Sequence, residues 1–387
     1  MLLFLLVFFI VYGLANWYIT SRIFSLVPFR GPWKVLARPL WIALLLAFPA
    51  GRLCTTLCRT ALADWMLRVG SWYLGIMVYS FFFFAVNDLW HLSVRLLPFL
   101  KNPDQKLNRR TRKNQGFGLF AAYALFIILV VVGGHYNAVR PTVRSYDLSL
   151  PGGNVGRTVR IALVSDIHAG LMVNNHWLHR IVNTINKTEP DVVLMAGDIV
   201  DGSVTHAQEE RLSQVMAGLS APLGVYAVLG NHEYYTDTEE VVPAIESGGV
   251  KVLLDEALTI DGLFTLAGRK DIQAERSGQG RKPLETILEG TADDLAVIVM
   301  DHTPVNLNEA TEAGVALQVS GHTHRGQLFP FNVVTDMIFE QDWGFLRKKG
   351  SLFYVSCGVG TWGPPIRTSS RPEVVLFNIT FRRQDAP

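Results

Sequence analysis

Residues 158–168 read TVRIALVSDIH and residues 191–201 read DVVLMAGDIVD. Each is a short apolar run that breaks into aspartate. Between them Trp177, Leu178, Ile181, Val182 and Ile185 recur at helical spacing. Strand, helix and strand in alternation is the rhythm of an α/β fold. Outward from this unit, Val225–Leu229, Leu295–Met300 and Leu317–Ser320 read as further strands. Leu352–Ser356 and Val374–Phe381 also have strand composition, with no helical pattern between them. No repeat of about 20 to 50 residues is present, which sets aside solenoids and propellers.

The residues that follow each strand carry the chemistry. Ligand sites in open α/β sheets gather at the carboxyl ends of strands. Here those ends read Ser165-Asp166-Ile167-His168, Gly197-Asp198-Ile199-Val200-Asp201, Gly230-Asn231-His232-Glu233, Asp301-His302-Thr303-Pro304 and Gly321-His322-Thr323-His324. Asp166 and His168 are two apart, so both can point to one side of an extended segment. Taken singly, a histidine on an apolar strand is commonly a hydrogen-bonded core residue, and Asp or Asn after a strand is a turn residue. Five such ends in succession point instead to one sheet edge loaded with metal-type ligands.

In this order, DxH, GDxxD, GNHE, a later His and GHTH resemble the signature of the calcineurin-like metallophosphoesterases, over roughly Ser145 to Phe381. The subgroup most similar is the membrane-associated bacterial one. Its GHTHxGQ is matched by Gly321–Gln327, although many relatives carry Gly where this chain has Arg325, and its glycine-rich C-terminal segment resembles Ser356–Arg367. The resemblance implies a four-layered α/β/β/α sandwich of mixed sheets. It implies Asp166, His168 and His324 at a first metal, Asn231, His302 and His322 at a second, and Asp198 bridging. Mixed nitrogen and oxygen donors suit Mn, Fe or Zn better than Mg or Ca. Two such ions about 3.5 to 4 Å apart would acidify a bridging water and clamp the phosphoryl oxygens.

By the same resemblance His232 protonates the leaving oxygen or stabilises transition-state charge, a task that suits an imidazole. Asp201 either holds His232 or caps its loop. Gly358, Gly360, Gly363, Pro364, Pro365 and Arg367 resemble the family's closing segment near the metals. There Arg367 is either a bidentate phosphate contact or an exposed surface arginine. Phe331, Phe339 and Trp343 frame an acyl-chain groove, dip into a bilayer interface, or pack in the core.

The first 135 residues are of another kind. The chain of 387 residues is 49% hydrophobic and only 18% charged, and the long uncharged runs lie almost wholly in this part. Leu2–Thr20, Pro39 to about Leu57, Val69–Val86 and Phe117–Val132 approach the roughly 20 residues a membrane helix needs. The second is pinched by Arg38 and Arg52 and interrupted by Pro49, so it reads as a span or as a re-entrant or short tilted helix. No basic leader precedes the first run, so it reads as an uncleaved anchor. The expected organisation is an all-α transmembrane region at 1–135, a linker at 136–144 and the catalytic domain at 145–387. Arg95, Lys101, Lys106, Arg109, Arg110, Arg112 and Lys113 cluster between the third and fourth runs. The positive-inside bias puts that loop in the cytoplasm and everything after the fourth run across the membrane. A cluster that only binds headgroups would allow a cytoplasmic catalytic domain.

A net charge of +2 with no basic stripe in the globular half argues against nucleic acid as a partner. Cys54, Cys58 and Cys357 make no disulfide framework or CxxC knuckle. Neither HxHxDH nor HExxH occurs, which disfavours β-lactamase-type hydrolases and zincins. The function expected is hydrolysis of phosphate esters, diesters favoured, at a bacterial inner membrane, on lipid-linked or envelope substrates. Phosphomonoester or nucleotide pyrophosphate cleavage is the enzymatic alternative, and a membrane sensor without turnover is the alternative of another class. Oligomeric state leaves no trace in the sequence.

Overall fold

The computed structural model describes residues 2–26, 33–57, 60–97, 109–152, 155–201, 206–235 and 238–383. Lys101, Lys106 and Cys58 lie outside the described residues. The chain divides into two compact units, Met1–His135 and Tyr136–Pro387.

Four helices build the first unit: α1 (Leu2–Leu26), α2 (Trp33–Leu57), α3 (Ala61–Leu96) and α4 (Arg109–Ala138). Each contains a stretch long and apolar enough to cross a bilayer. The helices outrun the apolar stretches because flanking polar residues continue the same backbone. At the start of α3 the Thr60 side chain accepts from Ala63 N, and Asp64 lies in the first turn. The doubtful second run is an unbroken helix with Pro39 and Pro49 inside it. Pro49 has no N–H to offer the carbonyl four residues back, that of Leu45. Tyr12 of α1 donates its hydroxyl to that Leu45 oxygen at 2.6 Å, so the freed acceptor is satisfied by a neighbouring helix.

The second unit holds the remaining elements. In chain order they are β1 (Thr142–Pro151), β2 (Thr158–Val164), α5 (Asn175–Asn186), β3 (Val192–Ala196), α6 (His206–Met216), β4 (Val225–Val228), α7 (Thr238–Glu246) and β5 (Lys251–Val252). Then come β6 (Glu256–Ile260), β7 (Phe264–Gly268), α8 (Ile272–Arg276), α9 (Leu284–Leu288), β8 (Ala296–Met300), α10 (Leu307–Glu312) and β9 (Leu317–Ser320). The last are α11 (Phe331–Ile338), β10 (Gly344–Lys348), β11 (Ser351–Val355) and β12 (Glu373–Arg382).

The strands form two six-stranded sheets, ordered β1-β12-β2-β3-β4-β5 and β10-β11-β9-β8-β7-β6. Both are mixed. β2, β3, β4 and β5 are parallel, with β12 antiparallel to β2. β7, β8, β9 and β11 are likewise parallel.

The layering follows from strand alternation. On β3, Val192, Leu194 and Ala196 face the second sheet, where they meet Phe264, Ile298, Leu317 and Tyr354. Val193 and Met195 face the other way, onto Trp177, Ile181, Leu212 and Ile245 of α5, α6 and α7. Beyond the second sheet, Val299 and Ala267 pack on Leu284 and Ile287 of α9 and on Leu307 and Ala310 of α10. Helices, sheet, sheet and helices make the α/β/β/α sandwich.

Five strands carry no clear signal in the sequence: β1, β5, β6, β7 and β10. Residues 136–144, read as a linker, contain the last residues of α4 and the first of β1. β1 is edge-paired to β12 in parallel from Thr142↔Glu373 to Pro151↔Arg382. Its inward row includes Arg144, whose Nε lies 2.8 Å from the fully buried Glu373 carboxylate, so a charge stands where alternation calls for an apolar residue.

Candidate metal centre

β2, β3 and β4 run parallel, so their carboxyl ends share one edge, and β8 and β9 end at the facing edge of the other sheet. Backbone bonds sew the loops together. Asp166 N donates to Gly197 O at 2.9 Å, His168 N to Asp198 O at 2.9 Å and Gly321 N to His302 O at 2.9 Å. Asp166, His168, Asp198, His322 and His324 have φ from +47° to +72°, in the left-handed region. Side-chain-bearing residues visit that region at a cost of order 1–3 kcal/mol each, and such residues concentrate at functional sites.

The seven ligand candidates come together as two groups. In the first, His324 Nε2 is 3.2 Å from Asp166 Oδ1 and 3.0 Å from His168 Nε2. In the second, His302 Nε2 is 3.2 Å from Asp198 Oδ2 and 3.2 Å from Asn231 Oδ1. His322 Nδ1 is 2.7 Å from the same Asn231 oxygen. Asp198 reaches both groups, since its Oδ2 is also 3.7 Å from His168 Nε2. Asp166–His168–His324 and Asp198–His302–His322 each have ligand atoms within 4.8 Å of one another.

This donor set fits two cations. The Nε2 atoms of His168 and His324 face each other, while His168 Nδ1 is buried with no hydrogen-bond partner. Two imidazoles presenting ring nitrogens to each other and to carboxylates satisfy one another poorly, and a cation among them satisfies all. His302 Nδ1 is 2.7 Å from Ala196 O; donating there, it leaves Nε2 as the ligand nitrogen.

The electrostatics agree. Burial opposes the charge of Asp166 and Asp198, yet the facing His324 and His302 hold both carboxyls well below their ordinary range. Burial, then the charge of His232, pushes His168 down to about 3. Burial and His302 push His322 down to about 4. The opposite holds for His302, where Asp198 outweighs burial and raises it. Ionised carboxylates with His168 and His322 held neutral suit a metal, and His302 would release a proton on binding one.

Around this shell, His232 Nδ1 is 3.1 Å from Asp201 Oδ1, and both side chains are about one-quarter exposed, at 25% and 26%. Burial lowers the His232 pKa, but the Asp201 bond and the charge of Asp198 prevail and hold it up at about 9.

Arg367 requires a correction. Expected at a substrate phosphate or on the surface, it is fully buried. Its Nη1 donates to Gly358 O at 2.7 Å and its Nη2 to Cys357 O. That Nη2 also lies 3.0 Å from His324 Nδ1. The guanidinium therefore props the His324 ring and the glycine-rich loop, and it is not an exposed surface arginine.

Glu233 is the residue that sequence reasoning left without a role. It is buried, and its carboxylate accepts from Gly230 N at 2.7 Å, Val200 N at 2.8 Å and Asp198 N at 3.2 Å. Burial and the neighbouring Asp198 push it up to about 7. Its signal was present: a carboxylate three residues after Gly230 can fold back on the turn's own N–H groups. Gly230 and Gly321 are required by close approach, since a Cβ on the first would collide with the Asp198 carboxylate and on the second with that of Asp166.

Residues 159–326 match the family model described as calcineurin-like phosphoesterase. A metallophosphoesterase of Aquifex aeolicus is 33% identical over 258 residues, covering 65% of this chain and 97% of that protein. The chain belongs to the calcineurin-like metallophosphoesterases. A metallophosphoesterase of Campylobacter jejuni is 27% identical, covering 99% of both chains. A transmembrane protein with metallophosphoesterase domain of Danio rerio is 28% identical, covering 89% of this chain and 80% of its own length. This metallophosphoesterase is a metal-dependent phosphoester hydrolase, and its four apolar helices make it a membrane protein.

Proposed function

We propose that residues 145–387 hydrolyse phosphate esters, diesters by preference, at the outer face of a bacterial inner membrane in which residues 1–135 hold the enzyme. The observation that carries the reading is the pair of ligand groups meeting at Asp198. Asp166, His168 and His324 would hold one ion, Asn231, His302 and His322 the other, with Asp198 shared; Mn, Fe or Zn fits these donors. When bound, the two ions supply Lewis acidity to the phosphoryl oxygens and an acidified water.

The chain's own residues do the rest. Asp166 and Asp198 contribute two negative charges against two cations, so the loaded site keeps a net positive charge for an anionic phosphoester. His232 uses Nδ1 to bond Asp201, which leaves Nε2 to deliver a proton to the departing oxygen. The bond to Asp201 favours the protonated ring, so His232 can carry that proton into the reaction. Asp201 fixes the ring and Glu233 fixes the two turns that bear Asp198 and Asn231.

The test is metal content and turnover of the full chain in lipid nanodiscs, on bis(4-nitrophenyl) and 4-nitrophenyl phosphate. Asp198→Asn is expected to lose metal and turnover together. His232→Ala is expected to keep its metal and lose roughly 10²–10⁴ in kcat. Wild-type rates in both variants would overturn the assignment, and the ratio of the two substrates decides between diester and monoester.

A further inference from the structure

The strongest feature outside the metal shell is α11. It follows the ligand loop directly, and none of its eight residues is buried. Val333, Val334, Met337 and Ile338 form one stripe at helical spacing, exposed by 51%, 48%, 81% and 69%. Phe329, 57% exposed, and Trp362, 40% exposed, continue the apolar surface. Trp362 is tied to the same loop, since its backbone N–H donates to Gln327 Oε1 at 3.1 Å. Isolated exposed apolar side chains are ordinary, but four on one helix face, with Phe329 and Trp362 exposed on loops bonded to the same root, mark a surface that is covered in use.

What covers it is indicated by the neighbouring bonds, all within Tyr136–Pro387. Asn137, in the last turn of α4, donates to Arg367 O at 3.0 Å and Ser370 O at 2.9 Å. Thr368, between those two, accepts from Phe329 N at 2.9 Å and donates its own N–H to Gln327 O at 2.9 Å. Two hydrogen-bonded steps thus join the root of α11 to the end of the apolar stretch Gly116–Ala138. The rim between them has interfacial character. Arg140 lies 3.8 Å over the ring of the exposed Tyr136, and Arg371 is exposed beside Ser370. At the other end of α11, the Phe339 ring is 5.7 Å from that of the ligand candidate His322.

We propose that α11 is an interfacial helix lying in the lipid surface beside the point where α4 leaves the bilayer, and that the metal centre therefore takes phosphoesters carried on membrane lipids. The substrate half rests on the hydrolytic reading above; the insertion half does not. A helix of this length, about 12 Å, lies along the interface and cannot span it. Acyl chains alongside its stripe would bring a headgroup phosphate to the His322 side of the site.

Two measurements on the full chain in nanodiscs test this. In a Cys54→Ser, Cys58→Ser background, a fluorophore is placed at Met337→Cys and, as control, at Glu312→Cys on α10. Quenching of the first by lipids brominated in the acyl chain, with protection from iodide, is expected, and the reverse for the second. Iodide access without lipid quenching at Met337→Cys would overturn insertion. Protection that depends on protein concentration and not on lipid would assign the face to a second copy, and equally overturn it.

The second measurement is the ratio of turnover on bilayer phosphatidylglycerol and phosphatidic acid to turnover on the aryl esters. Wild type is expected to cleave at least one lipid, and Met337→Glu with Ile338→Glu to lower the ratio at least tenfold. Cleavage of aryl esters but neither lipid, or an unchanged ratio, would overturn the lipid-substrate half. No turnover of any ester by the metal-loaded wild type would instead bring down the hydrolytic reading, while the quenching result still decides insertion.

Discussion

His232 and Asp201 form a contact that the sequence could suggest but not choose. Spacing allowed Asp201 to be an orienting carboxylate or a loop cap, and the 3.1 Å contact with His232 Nδ1 favours the first. The consequence is a pH profile. If His232 gives a proton, rate is retained below its pKa, which Asp201 holds up, and falls as pH rises through it. Asp201→Asn removes the carboxylate charge that helps raise this pKa, so the alkaline fall is expected at lower pH, with kcat down about tenfold and metal content unchanged. A profile in Asp201→Asn superimposable on that of wild type would remove Asp201 from this role. Arg367 shows the converse: its neighbours are the carbonyls of Cys357 and Gly358, and no local pattern tells a buried arginine from an exposed one.

β9 and its partners show how far an element's meaning depends on its sheet. The run Leu317–Ser320 was legible because it is apolar and ends in Gly-His. That it lies beside β8, ending where β2 of the other sheet ends, came only from pairing. The glycine after β9 lets the two sheets close: Gly321 has no Cβ to strike the Asp166 carboxylate. Gly321→Ala forces the loops apart, and overpacking of this kind costs about 1–3 kcal/mol. The expected result is a drop of several degrees in unfolding temperature and reduced metal content, read by fluorimetry and elemental analysis in nanodiscs; normal values for both would exclude this tight junction. Elements of low contrast escaped the sequence. β5 has two residues, and β1 carries Arg144 on its inward row and Val143 on its outward one.

At the scale of the whole molecule, the helices and the sandwich are linked by connection as well as by composition. The basic residues Arg109, Arg110, Arg112 and Lys113 open α4, and the sandwich follows its other end. If that basic end is cytoplasmic, an alkaline phosphatase reporter at the carboxyl end is expected to be active, as in an extracytoplasmic compartment. Reporter silence, with activity of a cytoplasmic reporter at the same place, would reverse the orientation.

Apolar helices followed by an α/β domain, and five strand ends holding Asp, His and Asn in the family's order, are legible in the residues alone. Those properties are local: periodicity, run length and the residue after each strand. That β1 closes the first sheet, that Glu233 and Arg367 brace the ligand loops and that no residue of α11 is buried emerges from the folded chain. Each of these depends on what a residue meets across tens or hundreds of positions, and a single strand of text carries no record of that.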